Sequence, residues 1–170
     1  SWDKEEYGYF MEMGTGKSKV LVDNIAMLYD KGKINAALIV APKGVYRNWE
    51  RQEIPIHMPD HIVHNVVTWS PVTTKKQQKE NLKLFKHGEQ LTIFLMNIEA
   101  FSTKKGLDIA QRFLLAHQTL MAIDESTTIK SPTARRTKNV LKLRNYAKYR
   151  RILPGSPVTK SPLDLYTQCY

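Results

Sequence analysis

Gly14, Gly16, Lys17 and Ser18, within Met11-Glu12-Met13-Gly14-Thr15-Gly16-Lys17-Ser18, have the types and spacing that hold phosphate. Glycines let successive backbone N–H groups of Gly14 to Ser18 turn toward one anion. Lys17 supplies a point charge for the outer phosphates, and Ser18 a hydroxyl for Mg²⁺. The general pattern has Gly at the first of its eight positions, where this chain has Met11. The context is nevertheless that of a phosphate loop: Tyr7 to Phe10 are strand-like, and Val20, Leu21, Ile25 and Leu28 follow at helical spacing. The chemistry implied is that of ATP or GTP. Turnover needs two carboxylates, one to hold the water shell of Mg²⁺ and one to take a proton from the attacking water. Asp124 and Glu125, directly after the apolar run Leu120 to Ile123, suit those roles. An acidic pair after a strand more commonly just opens a helix, but beside a phosphate loop the metal and base roles are favoured.

The elements that position these residues can be read in order. After the loop, a helix over Lys17 to Lys31 ends where Gly32 offers a left-handed cap. Ala36 to Ala41 and Leu91 to Met96 are continuous apolar runs suited to strands buried on both faces of a parallel sheet. Between them lie a short helix over Val45 to Glu53, stopped before Pro55, a β-rich run Ile62 to Trp69, and a polar surface helix within Val72 to His87. Then follow a helix over Leu107 to His117 with Ile109, Phe113 and Leu114 toward the sheet, a strand Thr119 to Ile123, and a basic helix Ala134 to Tyr146. A strand Tyr149 to Leu153 and the start of a helix at Leu163 to Tyr170 complete the chain. Strands alternating with helices imply parallel pairing, hence a three-layer α/β/α sandwich with a mainly parallel sheet, whose ligands bind beyond the carboxyl ends of the strands.

Composition bounds the rest. The 170 residues suffice for one domain with a sizeable core and are too few for two α/β lobes. Lys and Arg number 26 against 16 Asp and Glu, a net charge of +10 that favours a polyanionic partner. Cys169 is the one cysteine, which excludes an intrachain disulfide or a cysteine metal cluster and suits a reducing interior. The apolar runs are far shorter than the roughly 20 residues of a membrane span, so no membrane partner is expected. His57, His61 and His64 lack a Cys or carboxylate at tight ligand spacing, and Trp49, on a short amphipathic helix, reads as a packing residue rather than a base-stacking one.

Several motifs in one order extend this reading. Glu12 to Ser18, Leu38-Ile39-Val40-Ala41-Pro42-Lys43 with Asn48-Trp49-Glu50, and Asp124-Glu125-Ser126-Thr127 through Ile129-Lys130-Ser131-Pro132 stand in sequence. Leu153-Pro154-Gly155-Ser156-Pro157 follows, with Asn97-Ile98-Glu99 as a weaker element. Together they resemble the superfamily-two helicases and translocases, and within them the Swi/Snf-like ATPases. That resemblance implies a P-loop NTPase, RecA-like fold for residues 1–170 as a single first lobe. It also accommodates Met11, since the helicase form of the loop admits residues other than Gly there. Thr127 stands where the family usually has His, and Pro154 where it usually has Thr. A hydroxyl at 127 can donate a hydrogen bond but cannot carry an imidazole's proton-dependent charge.

The resemblance implies ATP and Mg²⁺ as cofactors. Gly14, Thr15, Gly16, Lys17 and Ser18 would hold the phosphates, Ser18 and Asp124 the metal, and Glu125 the attacking water. Thr127, Gly155 and Ser156 would couple the nucleotide state to nucleic acid. The polymer, DNA rather than RNA, would meet Lys43, Arg47 and Asn48 in one cluster and Lys130, Arg135, Arg136 and Lys138 in another, through phosphates rather than base edges. An adenine-reading Gln and an arginine-supplying second lobe are not visible, so the chain reads as one lobe of a larger motor, partnered by the second. The location implied is the cytoplasm for a bacterial or viral enzyme, the nucleus for a eukaryotic one. Two other readings stand beside this one: a nucleic-acid-binding module without turnover, and another phosphate-loop enzyme such as a packaging motor or small-molecule kinase.

Overall fold

The computed structural model describes residues 6–8, 17–42, 46–72, 74–86, 88–124 and 135–153. Among the described residues, six strands make one sheet: β1 (Glu6–Gly8), β2 (Ala36–Ala41), β3 (His64–Thr68), β4 (Leu91–Asn97), β5 (Thr119–Asp124) and β6 (Tyr149–Leu153). Their spatial order is β1-β6-β5-β2-β4-β3, and every neighbouring pair runs parallel. The helices are α1 (Lys17–Asp30), α2 (Tyr46–Asn48), α3 (Ile54–His57), α4 (Lys75–Leu82), α5 (Lys104–Ala116) and α6 (Arg135–Leu143).

The period of two along each strand sorts the core into two layers. Ala37, Ile39 and Ala41 of β2, Leu91, Ile93 and Leu95 of β4, and Leu120 and Ala122 of β5 face one side, where they meet Leu21, Val22 and Ile25 of α1, Trp49 and Ile54. Leu38 and Val40, Phe94 and Met96, Met121 and Ile123 face the other, against Ala110, Phe113 and Leu114 of α5 and Val140 and Leu143 of α6. Strands covered on both faces carry apolar residues at consecutive positions, and β2 and β4 are buried along their whole length. The three-layer α/β/α architecture expected from the alternating pattern is the one present.

Local chemistry explains the element ends. α1 closes with a Schellman motif: Lys33 N–H donates to the Leu28 carbonyl at 2.9 Å and Gly32 N–H to the Tyr29 carbonyl at 3.0 Å. Gly32 sits at φ +70°, the left-handed position anticipated for it. α4 is capped by Thr74, whose Oγ1 accepts from Gln77 N–H at 3.1 Å, and it buries no residue, so Lys75, Lys76 and Lys79 form a solvated face.

Two boundaries differ from expectation. The helix after β2 does not stop before Pro55 but continues to His57, through a π-helical turn at Trp49–Glu53 in which Ile54 N–H donates to the Trp49 carbonyl. Proline cannot supply an i to i−4 bond, and its ring crowds the carbonyl four residues back. A widened turn ahead of Pro55 relieves both problems. α5 begins at Lys104 rather than Leu107, because Thr103 Oγ1 accepts from Gly106 N–H at 3.0 Å as an N-cap.

That cap holds the first turn of α5 against the 3₁₀ turn Ile98–Ser102. A Cβ on Gly106 would lie 2.3 Å from the Ala100 carbonyl oxygen, a backbone atom that cannot swing away. Gly106→Ala should therefore destabilise by about 1–3 kcal/mol, overpacking outweighing alanine's better helix propensity. A lowered urea midpoint checks this, and an unchanged or raised midpoint contradicts it.

Candidate nucleotide and nucleic-acid site

The sheet register aligns the strand ends that deliver the chemistry. Gly8 of β1 lies opposite Ile152 of β6, and Ile152 lies opposite Ile123 of β5, so β1, β6 and β5 finish at one level. β1 and β5 flank β6, which sets them two strand spacings, about 10 Å, apart. Asp124 ends β5 opposite Leu153. The chain leaving β1 reaches the first turn of α1, where Lys17 and Ser18 stand at the positive end of a 14-residue helix. Ser18 and Asp124 are both half-buried.

Alternation along β5 turns Asp124 toward the face of Leu120 and Ala122, the layer of α1. There its Oδ2 accepts a hydrogen bond from the indole Nε1–H of Trp49 at 2.8 Å. Trp49 is 0% exposed, which rules out stacking on a base in this state and agrees with the packing role read from sequence. Its bond to Asp124 was not legible there.

The same register ties α1 to β6. Arg151, 1% exposed, donates from Nε to Asn24 Oδ1 at 2.7 Å and from a terminal nitrogen to the Arg150 carbonyl at 2.9 Å, with its guanidinium 5.6 Å from the Tyr149 ring centre. Asn24 is a polar residue beside the buried stripe Leu21, Ile25 and Leu28, the one sequence signal that could have marked this contact.

The helix carrying Arg47 and Asn48 packs in the layer of α1, and α6 packs in the other. Tyr46 N–H donates to the Pro42 carbonyl, starting the helix directly after β2, and Arg47 is exposed beside the Tyr46 ring. Asn48, half-buried, donates its amide to Glu53 at 3.5 Å. A cleft of about 480 Å³ opens between this helix and the ends of β3 and β4, lined in part by Tyr46, Arg47, Trp69, Asn97 and Glu99. α6, carrying Arg135, Arg136 and the exposed Lys138, packs through Val140 and Leu143 on the opposite layer. Gly14, Thr15, Gly16, Lys43, Glu125, Thr127, Lys130, Gly155 and Ser156 lie outside the described residues. The histidines turn to three partners: His57 to Glu53 at 3.4 Å, His61 to Asp30 at 2.8 Å and His64 to the Ile62 carbonyl at 3.1 Å.

A family model described as the SNF2-related domain matches residues 9–168, nearly the whole chain. The chain belongs to the SNF2-related family. Its fold is shared with solved structures of low sequence identity. The Sulfolobus solfataricus SWI2/SNF2 ATPase core in complex with dsDNA superposes with a TM-score of 0.63 at 20% identity, over 93% of this chain and 29% of that one. The S. solfataricus SWI2/SNF2 ATPase core domain gives 0.63 at 21%, over 95% and 29%. The UvsW helicase from bacteriophage T4 gives 0.63 at 8%, over 98% and 52%. The SNF2-related domain thus spans about a third to a half of these chains. No curated protein is significantly similar in sequence. Family and fold together make this an SNF2-related domain of RecA-like architecture. No described helix is long and apolar enough to cross a membrane.

Proposed function

We propose that this lobe binds Mg²⁺ and ATP and drives an ATP-dependent DNA translocase or helicase, residues 1–170 forming one lobe of a two-lobe motor. The observation that carries the reading is the level finish of β1, β6 and β5, with Asp124 at one strand end and the start of α1 fed from another. A carboxylate and a hydroxyl suit Mg²⁺, a hard cation that takes oxygen ligands and is held by one or two protein groups plus substrate phosphates. Asp124 and Ser18 are those groups. Held by Asp124 and Ser18, the ion would supply positive charge to the phosphate oxygens.

Gly14, Thr15 and Gly16 direct backbone N–H groups at the phosphates, and Lys17 adds a positive charge near the outer ones. Glu125 orients the attacking water and accepts its proton. Thr127, Gly155 and Ser156 report nucleotide state to the polymer through hydrogen bonds. Lys43, Arg47 and Asn48, together with Lys130, Arg135, Arg136 and Lys138, grip phosphates without reading sequence. The second lobe supplies the arginines that stabilise transferring charge. Such a motor works where DNA lies open, the cytoplasm of a bacterium or infected cell, or a nucleus.

The test is ATP turnover of the intact protein with and without duplex DNA, beside the salt dependence of DNA binding. Turnover should rise with DNA, and log affinity should fall linearly with log salt, by about 0.9 per phosphate neutralised. DNA binding with no turnover on any polymer would make the chain a binding module instead, and stimulation by RNA alone would reassign the polymer.

A further inference from the structure

We propose that Trp49 is a positioning residue for Asp124, and that the helix carrying it links the polymer-facing segment Tyr46-Arg47-Asn48 to the metal side of the nucleotide site. The proposal rests on the reading of Asp124 as a metal-holding carboxylate.

An indole N–H sealed in a core requires an acceptor, because leaving it unpaired forfeits its bond to water without replacement. Trp49 lies in a layer of aliphatic groups, Leu21, Ile25, Ile39 and Ile54 among them, and its N–H reaches a carboxylate 75 residues away in sequence. The donor is neutral. A lysine or arginine on the same oxygen would also fix the carboxylate, but it would compete electrostatically with a divalent cation. An indole N–H restrains rotation of the carboxylate without adding a positive charge of its own. That is the arrangement by which outer partners commonly orient metal ligands.

The position of Trp49 along its helix supplies the link. It begins the π-helical turn, its own carbonyl accepting from Ile54 N–H, and π-turns are disproportionately found at functional sites. Two residues before it stands Arg47, exposed at the carboxyl edge of the sheet, and the phenol of Tyr46, at the start of the helix, donates to the Trp69 carbonyl at 3.4 Å. The turn Tyr46–Asn48 and the indole therefore form one continuous helical body. A load on Arg47 is transmitted to the indole and through its N–H to Asp124.

The deciding variant is Trp49→β-(3-benzothienyl)alanine, introduced at position 49 alone in the intact protein. It keeps the shape of indole and replaces N–H by sulfur. Trp49→Phe is a second, simpler variant. Binding of a fluorescent ATP analogue is measured across a Mg²⁺ titration and again in EDTA, with Mn²⁺ occupancy followed by electron paramagnetic resonance. The benzothienyl variant should need about 10- to 100-fold more Mg²⁺ or Mn²⁺ for half-saturation, as loss of outer metal-site partners generally causes. Its nucleotide affinity in EDTA should match the parent, and its thermal midpoint should fall by only a few degrees, as loss of one hydrogen bond to a half-buried carboxylate causes. Saturating duplex DNA should shift the Mg²⁺ midpoint of the parent and fail to shift that of the variant. A variant that titrates with metal as the parent does, while the parent responds to Mg²⁺, overturns the positioning role alone. A parent whose nucleotide binding ignores Mg²⁺ overturns the reading of Asp124 as well.

Discussion

Replacing Glu125 by Gln in the intact protein should lower ATP turnover by about 10²- to 10⁴-fold, the usual range for loss of a positioned general base, while nucleotide binding survives. Asp124 is fixed by β-pairing to Leu153 and by the Trp49 indole. Glu125 follows Asp124 directly in the chain. Gln keeps the size and hydrogen-bonding reach of Glu but cannot accept a proton. Asp124→Asn should behave differently, weakening the Mg²⁺ dependence of nucleotide binding, because its proposed role is to hold the cation. Steady-state turnover and equilibrium binding, measured on the same preparations with DNA present, separate the two. DNA-stimulated turnover unchanged in Glu125→Gln would remove Glu125 from the mechanism.

What was legible in the sequence follows from which interactions are local. Ala36–Ala41 and Leu91–Asn97 announced themselves because strands covered on both faces show uninterrupted apolar runs. Gly32 marked its helix end because few other residues accept φ +70°. Pro55 misled because helix-breaking is a rule about regular α-helix, and a π-turn just ahead of it changes the ladder it interrupts. Thr103 was missed as a cap because the apolar rhythm of α5 becomes clear only from Leu107, a turn inside its start. The order of strands, and with it the meeting of Trp49 with Asp124 and of Asn24 with Arg151, depends on pairings between distant segments. No local pattern encodes those. Motif order groups Lys17, Ser18 and Asp124 in one expected site, and the register shows β1, β6 and β5 finishing at one level, but the meeting of Asp124 with the Trp49 indole came only from the packed layers.

Asn24 and Arg151 should prove energetically coupled. A guanidinium in the core retains its charge, so each hydrogen bond it makes replaces one lost from water. The Nε–H donated to Asn24 Oδ1 at 2.7 Å is such a bond, and Asn24 is itself only 4% exposed. Asn24→Leu removes the acceptor while leaving the charge in place, and should cost about 1.5–3 kcal/mol, the range for hydrogen bonds to charged groups. Arg151→Met removes the charge and the donor to Asn24 Oδ1, at a cost of about 1–3 kcal/mol. The double variant should cost less than the sum of the two, since neither side then holds a polar group seeking the other, with a coupling of about 0.5–3 kcal/mol. Urea midpoints of the four proteins at a common m value measure it. The coupling has a functional sequel. Asn24 lies two turns along the helix that Lys17 opens, and Arg151 lies on the strand that leads to Gly155 and Ser156. Loosening their bond lets the phosphate-side helix shift against that strand. Asn24→Leu should therefore weaken the stimulation of turnover by DNA more than it weakens turnover without DNA. Additive stabilities, with equal losses in both activities, would show the bond to be incidental to the link between α1 and β6.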